Sequence, residues 1–388
     1  MTIDYLIIGT GIAGVSAAKT IRKRDGEGRI VMVSNETMKP YYRIKLTKAI
    51  SKDLTAEDLL LDKEGFYEEN RIELILNKQV ESVDYEGKRV ILEDGESLAY
   101  KKLLLATGAT PFIPPHEGGS MENVFSMRRM EDYLAVQKAL NSGEIKTILV
   151  VGGGLLGLEA AYAFLEKGFE VHVGEFSDHL LTRQLDTESS IALEKALAEE
   201  GLKIHIGSTL KENVGDKKVE KVRMTGGEEF DCQLVLFSVG VRSDIRLAGE
   251  TLAKEKGIVV NEKLETGMEG VWAAGDNAQI NGMTMGLWTA AKEMGEIAGE
   301  NMAGGEALYS TPKLFTNLQL GNIKLFSAGS HDGDDMFVQH DGENYVKLFF
   351  KENKTIGGIL GGKVSKMGLV KDLIAEGAEK ETAEEAFI

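Results

Sequence analysis

The sequence predicts an α/β chain of two Rossmann-like domains followed by a small C-terminal α+β domain. Three observations carry that prediction. A glycine fingerprint behind an apolar run occurs at Gly9-Thr10-Gly11-Ile12-Ala13-Gly14 and again at Gly152-Gly153-Gly154-Leu155-Leu156-Gly157. The strand and turn signals after the first copy recur after the second, about 143 residues on from Gly9 to Gly152, as two copies of one unit would. Beyond residue 305 the pattern changes to short amphipathic strands with glycine turns and a polar, glutamate-rich end.

Taken in order, residues 5–8 form an apolar strand, 15–21 a small-residue helix and 30–33 a second strand. Residues 34–50 read as a loop entering a helix. Short strands follow at 72–76, 79–80, 89–92 and 103–105, separated by the turn-like stretches 85–88 and 93–96. Pro111, Pro114 and Pro115 make a stiff exit from the last of these and suggest a domain junction. In the second copy, strands at 148–151, 171–173, 204–206, 219–222 and 234–237 repeat the theme. There Ser238-Val239-Gly240 parallels Ala106-Thr107-Gly108. A third glycine signal, Ala274-Gly275-Asp276, comes later.

The fingerprint has a physical reason. Its first glycine allows the tight turn out of the strand, its second lets a pyrophosphate approach the backbone, and its third lets helix and strand pack closely. The helix N-terminus then favours the anion. An acid about 20 residues on accepts from a ribose hydroxyl; Glu36, or its neighbour Asn35, and Glu175 hold those positions. Either copy alone also reads as a structural strand–turn–helix. Together they point to two dinucleotides on one chain, an arrangement suited to passing electrons between them. A carboxylate at 175, followed by Phe176-Ser177-Asp178 with no basic residue, would favour NADH over NADPH if the second loop holds a nicotinamide nucleotide, as the resemblance below implies; Arg183 is the nearest exception.

Composition narrows the classes further. A net charge of −17 argues against nucleic acid as a partner. No apolar run is long enough to span a bilayer, and the N-terminus enters a strand without a basic region, so neither membrane insertion nor secretion is expected. One cysteine, Cys232, excludes an internal disulfide and fits a reducing, cytoplasmic compartment. It opens an apolar strand, as a packed core thiol would. The six histidines show no metal-ligand spacing, so no metal is expected.

The order Gly9-x-Gly11-x-x-Gly14, Ala106-Thr107-Gly108, Gly152-x-Gly154-x-x-Gly157, Ala274-Gly275-Asp276 resembles the FAD-dependent pyridine nucleotide–disulfide oxidoreductase superfamily over residues 1 to 305. Within it, Pro40-Tyr41-Tyr42-Arg43, Arg183-Gln184-Leu185-Asp186, the short length and the missing redox cysteines resemble NADH:rubredoxin reductases. The FAD domain of assimilatory nitrite reductases is similar too. The resemblance implies a glutathione-reductase-like fold: a discontinuous FAD domain at 1–112 and 243–305, an NAD domain at 113–242, and a small domain at 306–388. It puts FAD at Gly9, Gly11, Gly14 and Glu36 or Asn35, with Val80 offering backbone bonds to adenine and Ala106, Thr107 and Gly108 close to the cofactor. Arg43, Arg128, Asp276, Trp288 and Thr289 match further FAD-contacting positions. The NADH would lie on Gly152, Gly154, Gly157, Glu175 and Gly240, with Gly275 on the flavin side. A solvated surface charge is the alternative for Arg128, and a helix N-cap for Asp276.

In the family a lysine and a glutamate pair beside the flavin, which implicates Lys48 and Glu159 as catalytic and cofactor-binding residues; two separate surface charges are the alternative. Disulfide- and oxygen-reducing relatives carry cysteine on the helix after the first acid, and residues 34–60 contain none. The expected function is therefore an FAD enzyme that takes hydride from NADH and passes electrons to a small carrier such as rubredoxin. Lys39, Arg43, Lys45 and Lys48, with no acid among 39–48, form a basic island that would dock an acidic carrier or simply attract the FAD phosphates. Alternatives are a reductase component of a nitrite-reducing or oxygen-detoxifying system, and a slow FAD/NADH-binding redox sensor. The C-terminal domain of the superfamily often forms a dimer contact, so a homodimer is among the implied assemblies.

Overall fold

The apolar runs become buried strands, mostly parallel, as strands covered on both faces do. The computed structural model describes residues 2–312, 314–342 and 344–387. They group into two units: residues up to 112 with 128–134 and 240–311, and residues 113–127 with 135–239 and from 312 onward.

The first unit is built on a seven-stranded sheet ordered Ile72–Ile75, Ile30–Val33, Ile3–Ile8, Ser97–Leu105, Arg89–Leu92, Val80–Asp84, with Val271–Ala273 also beside Ser97–Leu105. Ile3–Ile8 sits at its centre, pairing Tyr5 with Ile30 and Ile8 with both Val33 and Leu105. The run at 103–105 is only the buried end of the nine-residue strand Ser97–Leu105. Its start, Ser97-Leu98-Ala99, pairs antiparallel with Arg89–Ile91, and two lysines at 101–102 separate it from the apolar run. Helix Ile12–Arg24 follows the first fingerprint and packs on helix Trp288–Met302. The loop after residue 34 enters a short turn, Arg43–Lys45, and helix Leu46–Lys52.

The second unit holds a parallel five-stranded sheet ordered Lys203–Ile206, Glu170–Glu175, Thr147–Val151, Leu234–Phe237, Val124–Ser126. Helix Leu155–Glu166 follows the second fingerprint. The strand expected at 219–222 lies at Lys221–Met224, in a separate antiparallel sheet with Leu210–Val214 and Glu229–Asp231. Further on, five antiparallel strands are ordered Phe315–Leu320, Ile323–Gly329, Lys354–Gly361, Asn344–Lys351, Asp335–Asp341. The glutamate-rich end folds into helices Met367–Glu376 and Lys380–Glu385. Val370, Leu373 and Phe387 from this end cover one sheet face at Phe326, Leu348, Phe350 and Leu360. The fold is thus α/β with two dinucleotide-binding, Rossmann-like domains of the glutathione-reductase type and a small C-terminal domain. Among the described residues no helix is long and apolar enough to cross a membrane.

Candidate functional site

The two glycine loops solve one steric problem in the same way. Gly9 has φ +112°, and a Cβ there would lie 2.1 Å from the Ala106 carbonyl oxygen. A Cβ on Gly14 would lie 2.2 Å from the Gly9 carbonyl oxygen. Gly152 has φ +116°, and its Cβ would lie 2.5 Å from the Ser238 carbonyl oxygen; that of Gly157 would lie 2.0 Å from the Gly152 carbonyl oxygen. The outer glycines are therefore required by the protein itself. At Gly11 and Gly154 a Cβ would meet no atom of the described residues within 4 Å. The space above each middle glycine is left for something other than protein.

Each middle glycine is also the N-cap of its helix, with no side-chain cap and no acid in the first turn. The leading N–H groups and the positive end of the helix dipole are free to receive an anion.

The acids after the two loops are held differently. Glu36 is buried; it accepts from the Tyr41 hydroxyl at 2.5 Å and pairs with Arg43 at 2.5 Å. Burial pushes the Tyr41 phenol far above its ordinary range, so it donates to Glu36 while accepting from the Met130 N–H at 2.9 Å. Asn35 is exposed and bonded to Gln79 at 2.7 Å. Glu175 ends its strand half-buried, accepting from the Gly153 N–H at 2.6 Å and the Ser177 N–H at 2.7 Å.

In the first unit the predicted residues converge. Arg43 also donates to the Arg128 carbonyl, and Arg128 reaches Asp276 at 2.7 Å. A Cβ on Gly108 would lie 3.7 Å from the Arg128 guanidinium, and one on Gly275 would lie 3.1 Å from Ala13 Cβ. The Ala106–Gly108 and Gly275–Asp276 signals are thus gathered at the mouth of the Gly9–Gly14 loop. Thr107 donates to the Asp244 carbonyl at 2.8 Å, and the Asp276 carbonyl accepts from Ser243 at 2.7 Å. Arg128 is an ion-paired residue rather than a solvated charge. Asp276 caps no helix, since the next helix begins at Trp288 with Leu287 as its cap.

The remaining predicted residues are placed as follows. Val80 is buried, its carbonyl accepting from Arg246 at 2.9 Å. Trp288 stacks on Tyr42 with centroids 6.1 Å apart, while Thr289 is exposed. Gly240, at φ +101°, accepts from the Phe112 N–H at 3.0 Å. Lys48 is exposed on helix Leu46–Lys52 of the first unit, and Glu159 is half-buried on helix Leu155–Glu166 of the second. The basic island is less basic than its sequence: Lys39 pairs with Glu68 and Arg43 with Glu36, while Lys45 lies over the Tyr42 ring at 4.1 Å. Cys232 is fully buried, and burial pushes its thiol up to about 12.

The sequence reading gave no role to Tyr41, Ser243, Asp244 or Asn277. Tyr41 stood inside the Pro40–Arg43 motif, and Asn277 follows Gly-Asp; its amide donates to the Leu105 carbonyl at 2.9 Å and its buried Oδ1 has no partner among the described residues. Ser243 and Asp244 gave no signal, because they contribute through long-range backbone bonds.

Residues 3–295 match the family model for pyridine nucleotide-disulphide oxidoreductases, and residues 315–378 that for the rubredoxin NAD+ reductase C-terminal domain. The chain is 32% identical to a nitrite reductase [NAD(P)H] of Bacillus subtilis, over 97% of this chain and 48% of that protein. It therefore spans about half the length of that relative. It is 31% identical to an NADH-rubredoxin oxidoreductase of Clostridium acetobutylicum, over 93% and 91% of the two chains. A crystal structure of NADH:rubredoxin oxidoreductase from Clostridium acetobutylicum superposes with a TM-score of 0.84 at 27% identity, covering 98% of this chain and 96% of that one. Matched from residue 3 to residue 295, with twin glycine loops of the same construction, the chain belongs to the pyridine nucleotide-disulphide oxidoreductase family.

Proposed function

We propose that the chain is an NADH-dependent FAD oxidoreductase that passes electrons to a small redox protein, most simply a rubredoxin. The observation that carries this is the pair of loops in which only the middle glycine faces open space. The donor set fits the two groups: unspent helix N-termini for pyrophosphate, half-buried Glu175 for the ribose at the second loop, and for that at the first loop exposed Asn35 beside Glu36, which Tyr41 and Arg43 hold. Arg43 and Arg128, each paired with a carboxylate, bring guanidinium N–H donors near the first loop. Bound FAD would supply the change from a two-electron donor to one-electron acceptors.

The chain's own residues orient and select. Glu175, its oxygens aimed by two backbone N–H groups, accepts from ribose hydroxyls and repels a 2′-phosphate, which favours NADH. Lys48 and Glu159 are proposed as the charged pair serving hydride transfer. Lys45 and Lys48, beside exposed Ile44, are the surface proposed to meet an acidic carrier. A free buried cysteine suits a reducing, cytoplasmic setting. No sulfur is available to act as an intermediate acceptor, since Cys232 is sealed in the core.

The test is anaerobic. Bound flavin should show its absorption bands, NADH should bleach them, and rubredoxin should restore them faster than oxygen does. Failure of NADH to bleach the flavin removes the proposal. A second reading, a reductase half of a nitrite-reducing system, is favoured by the 97% coverage against the nitrite reductase. Fast reoxidation only by a nitrite-reducing partner would select it.

A further inference from the structure

We infer that Lys347, in the C-terminal sheet, is a positioning residue for the loop that carries Glu175; this rests on the proposed binding of NADH. Lys347 is 1% exposed and stands on the sheet face opposite the apolar helices. Its Nζ donates to Asp186 at 2.7 Å and to Glu188 at 2.7 Å. In the sheet register Lys347 pairs with Ile359, and Ile359 pairs with Ser327. Ser327 Oγ donates to the Gln184 carbonyl. One cross-strand row thus grips two points of the Arg183–Asp186 motif, to which the proposed function gives no role.

That motif ends the loop that starts at Glu175. The near end of the loop is tied to the second glycine fingerprint. Glu175 accepts from the Gly153 N–H, and Leu181 donates to the Gly153 carbonyl at 3.2 Å. Leu180 and Leu181 are buried, and Leu181 holds φ +51°, a conformation unfavourable for a leucine unless its surroundings enforce it. The far end is tied at Asp186, which caps helix Thr187–Glu199 and receives Lys347. The loop is therefore fixed at both ends, by the glycine loop and by the C-terminal sheet.

A buried ammonium with two carboxylates is a poor source of stability, because apolar side chains of similar volume often serve as well. It is a good source of fixed geometry, since leaving either end unpaired is costly. Shifting Asp186 shifts the end of the loop whose other end aims the Glu175 carboxylate at ribose.

The experiment is calorimetric titration of flavin-loaded protein with NAD+ and NADP+. Lys347→Met should weaken NAD+ on the order of tenfold, narrow the NAD+/NADP+ preference and leave flavin content unchanged. Lys347→Arg should restore part of both. A merely structural role would lower the melting temperature without moving the preference. If Lys347→Met does not fold, Glu188→Gln at the exposed end of the cluster decides, with a loss of about two- to threefold expected. Wild-type affinity and preference in a folded Lys347→Met, or in Glu188→Gln if that variant has to decide, would overturn the inference. Wild-type protein that binds neither nucleotide would instead overturn the proposed function beneath it.

Discussion

The loops at Gly9 and Gly152 share a backbone and differ in how each keeps its acid. In both, the outer glycines are pressed against carbonyl oxygens and the middle one faces open space. Glu36 is buried and held by side chains, a tyrosine hydroxyl and an arginine. Glu175 is half-buried and held by two backbone N–H groups. The first acid belongs to a charge cluster that runs through Arg43 and Arg128 to Asp276. The second keeps a net negative charge at the strand end. Identical backbones can therefore be specialised by the partners of one carboxylate, which is the physical basis for reading the two loops as sites for different nucleotides.

The largest effect should come from the shared part. Gly9→Ala or Gly152→Ala puts a Cβ into a carbonyl oxygen at positive φ, and should cost roughly 4 kcal/mol or more, measured by denaturant unfolding. Equal effects at both positions would sustain the equivalence of the loops; a harmless substitution at one would break it. Next comes Glu36→Gln, which strips Arg43 of its counter-charge and should cost about 3 kcal/mol. Glu175→Gln, which replaces one of the two accepting oxygens with an NH2 and so loses one backbone hydrogen bond with the charge, should cost about 1–2 kcal/mol while relaxing the preference for NADH over NADPH. An unchanged preference would remove the role given to that carboxylate.

The units also differ in histidine. All six, His116, His172, His179, His205, His331 and His340, fall in the second unit. Burial lowers the pKa values of His172 and His331 below the ordinary 6.5. Their folded-state pKa values are depressed, so the unfolded chain binds more protons in the window just below 6.5. Stability is therefore lost there as pH falls. Hydrogen exchange on acidification through that window should show the second unit loosening before the first, and replacing both histidines with phenylalanine should flatten the difference. Simultaneous loosening of both units in the wild type would contradict it.

Much of this was legible because glycine fingerprints, buried strands and Gly-Asp signals are local patterns with local causes. The strands Ile30–Val33, Arg89–Leu92 and Leu234–Phe237 lie where their apolar runs lie. The start of Ser97–Leu105 and the small sheet around Lys221–Met224 were not legible, because antiparallel neighbours and not an apolar run of their own define them. The same limit applied at the sites. Arg43 was visible within Pro40–Arg43, but its neutralisation by Glu36 was not, so the 39–48 segment looked more basic than it is. Lys347, buried by residues some 160 positions away, gave no sequence signal at all.

The central claim is that the Gly9–Gly14 loop holds the flavin and the Gly152–Gly157 loop the nicotinamide nucleotide. It is tested most directly by measuring flavin content and anaerobic bleaching by NADH in Gly11→Ala and Gly154→Ala, whose added Cβ would meet no atom of the described residues within 4 Å. Gly11→Ala should fold and lack flavin, while Gly154→Ala should keep its flavin and resist bleaching at NADH concentrations that bleach the wild type. Flavin retained at wild-type level in Gly11→Ala, or lost from Gly154→Ala, would contradict the assignment.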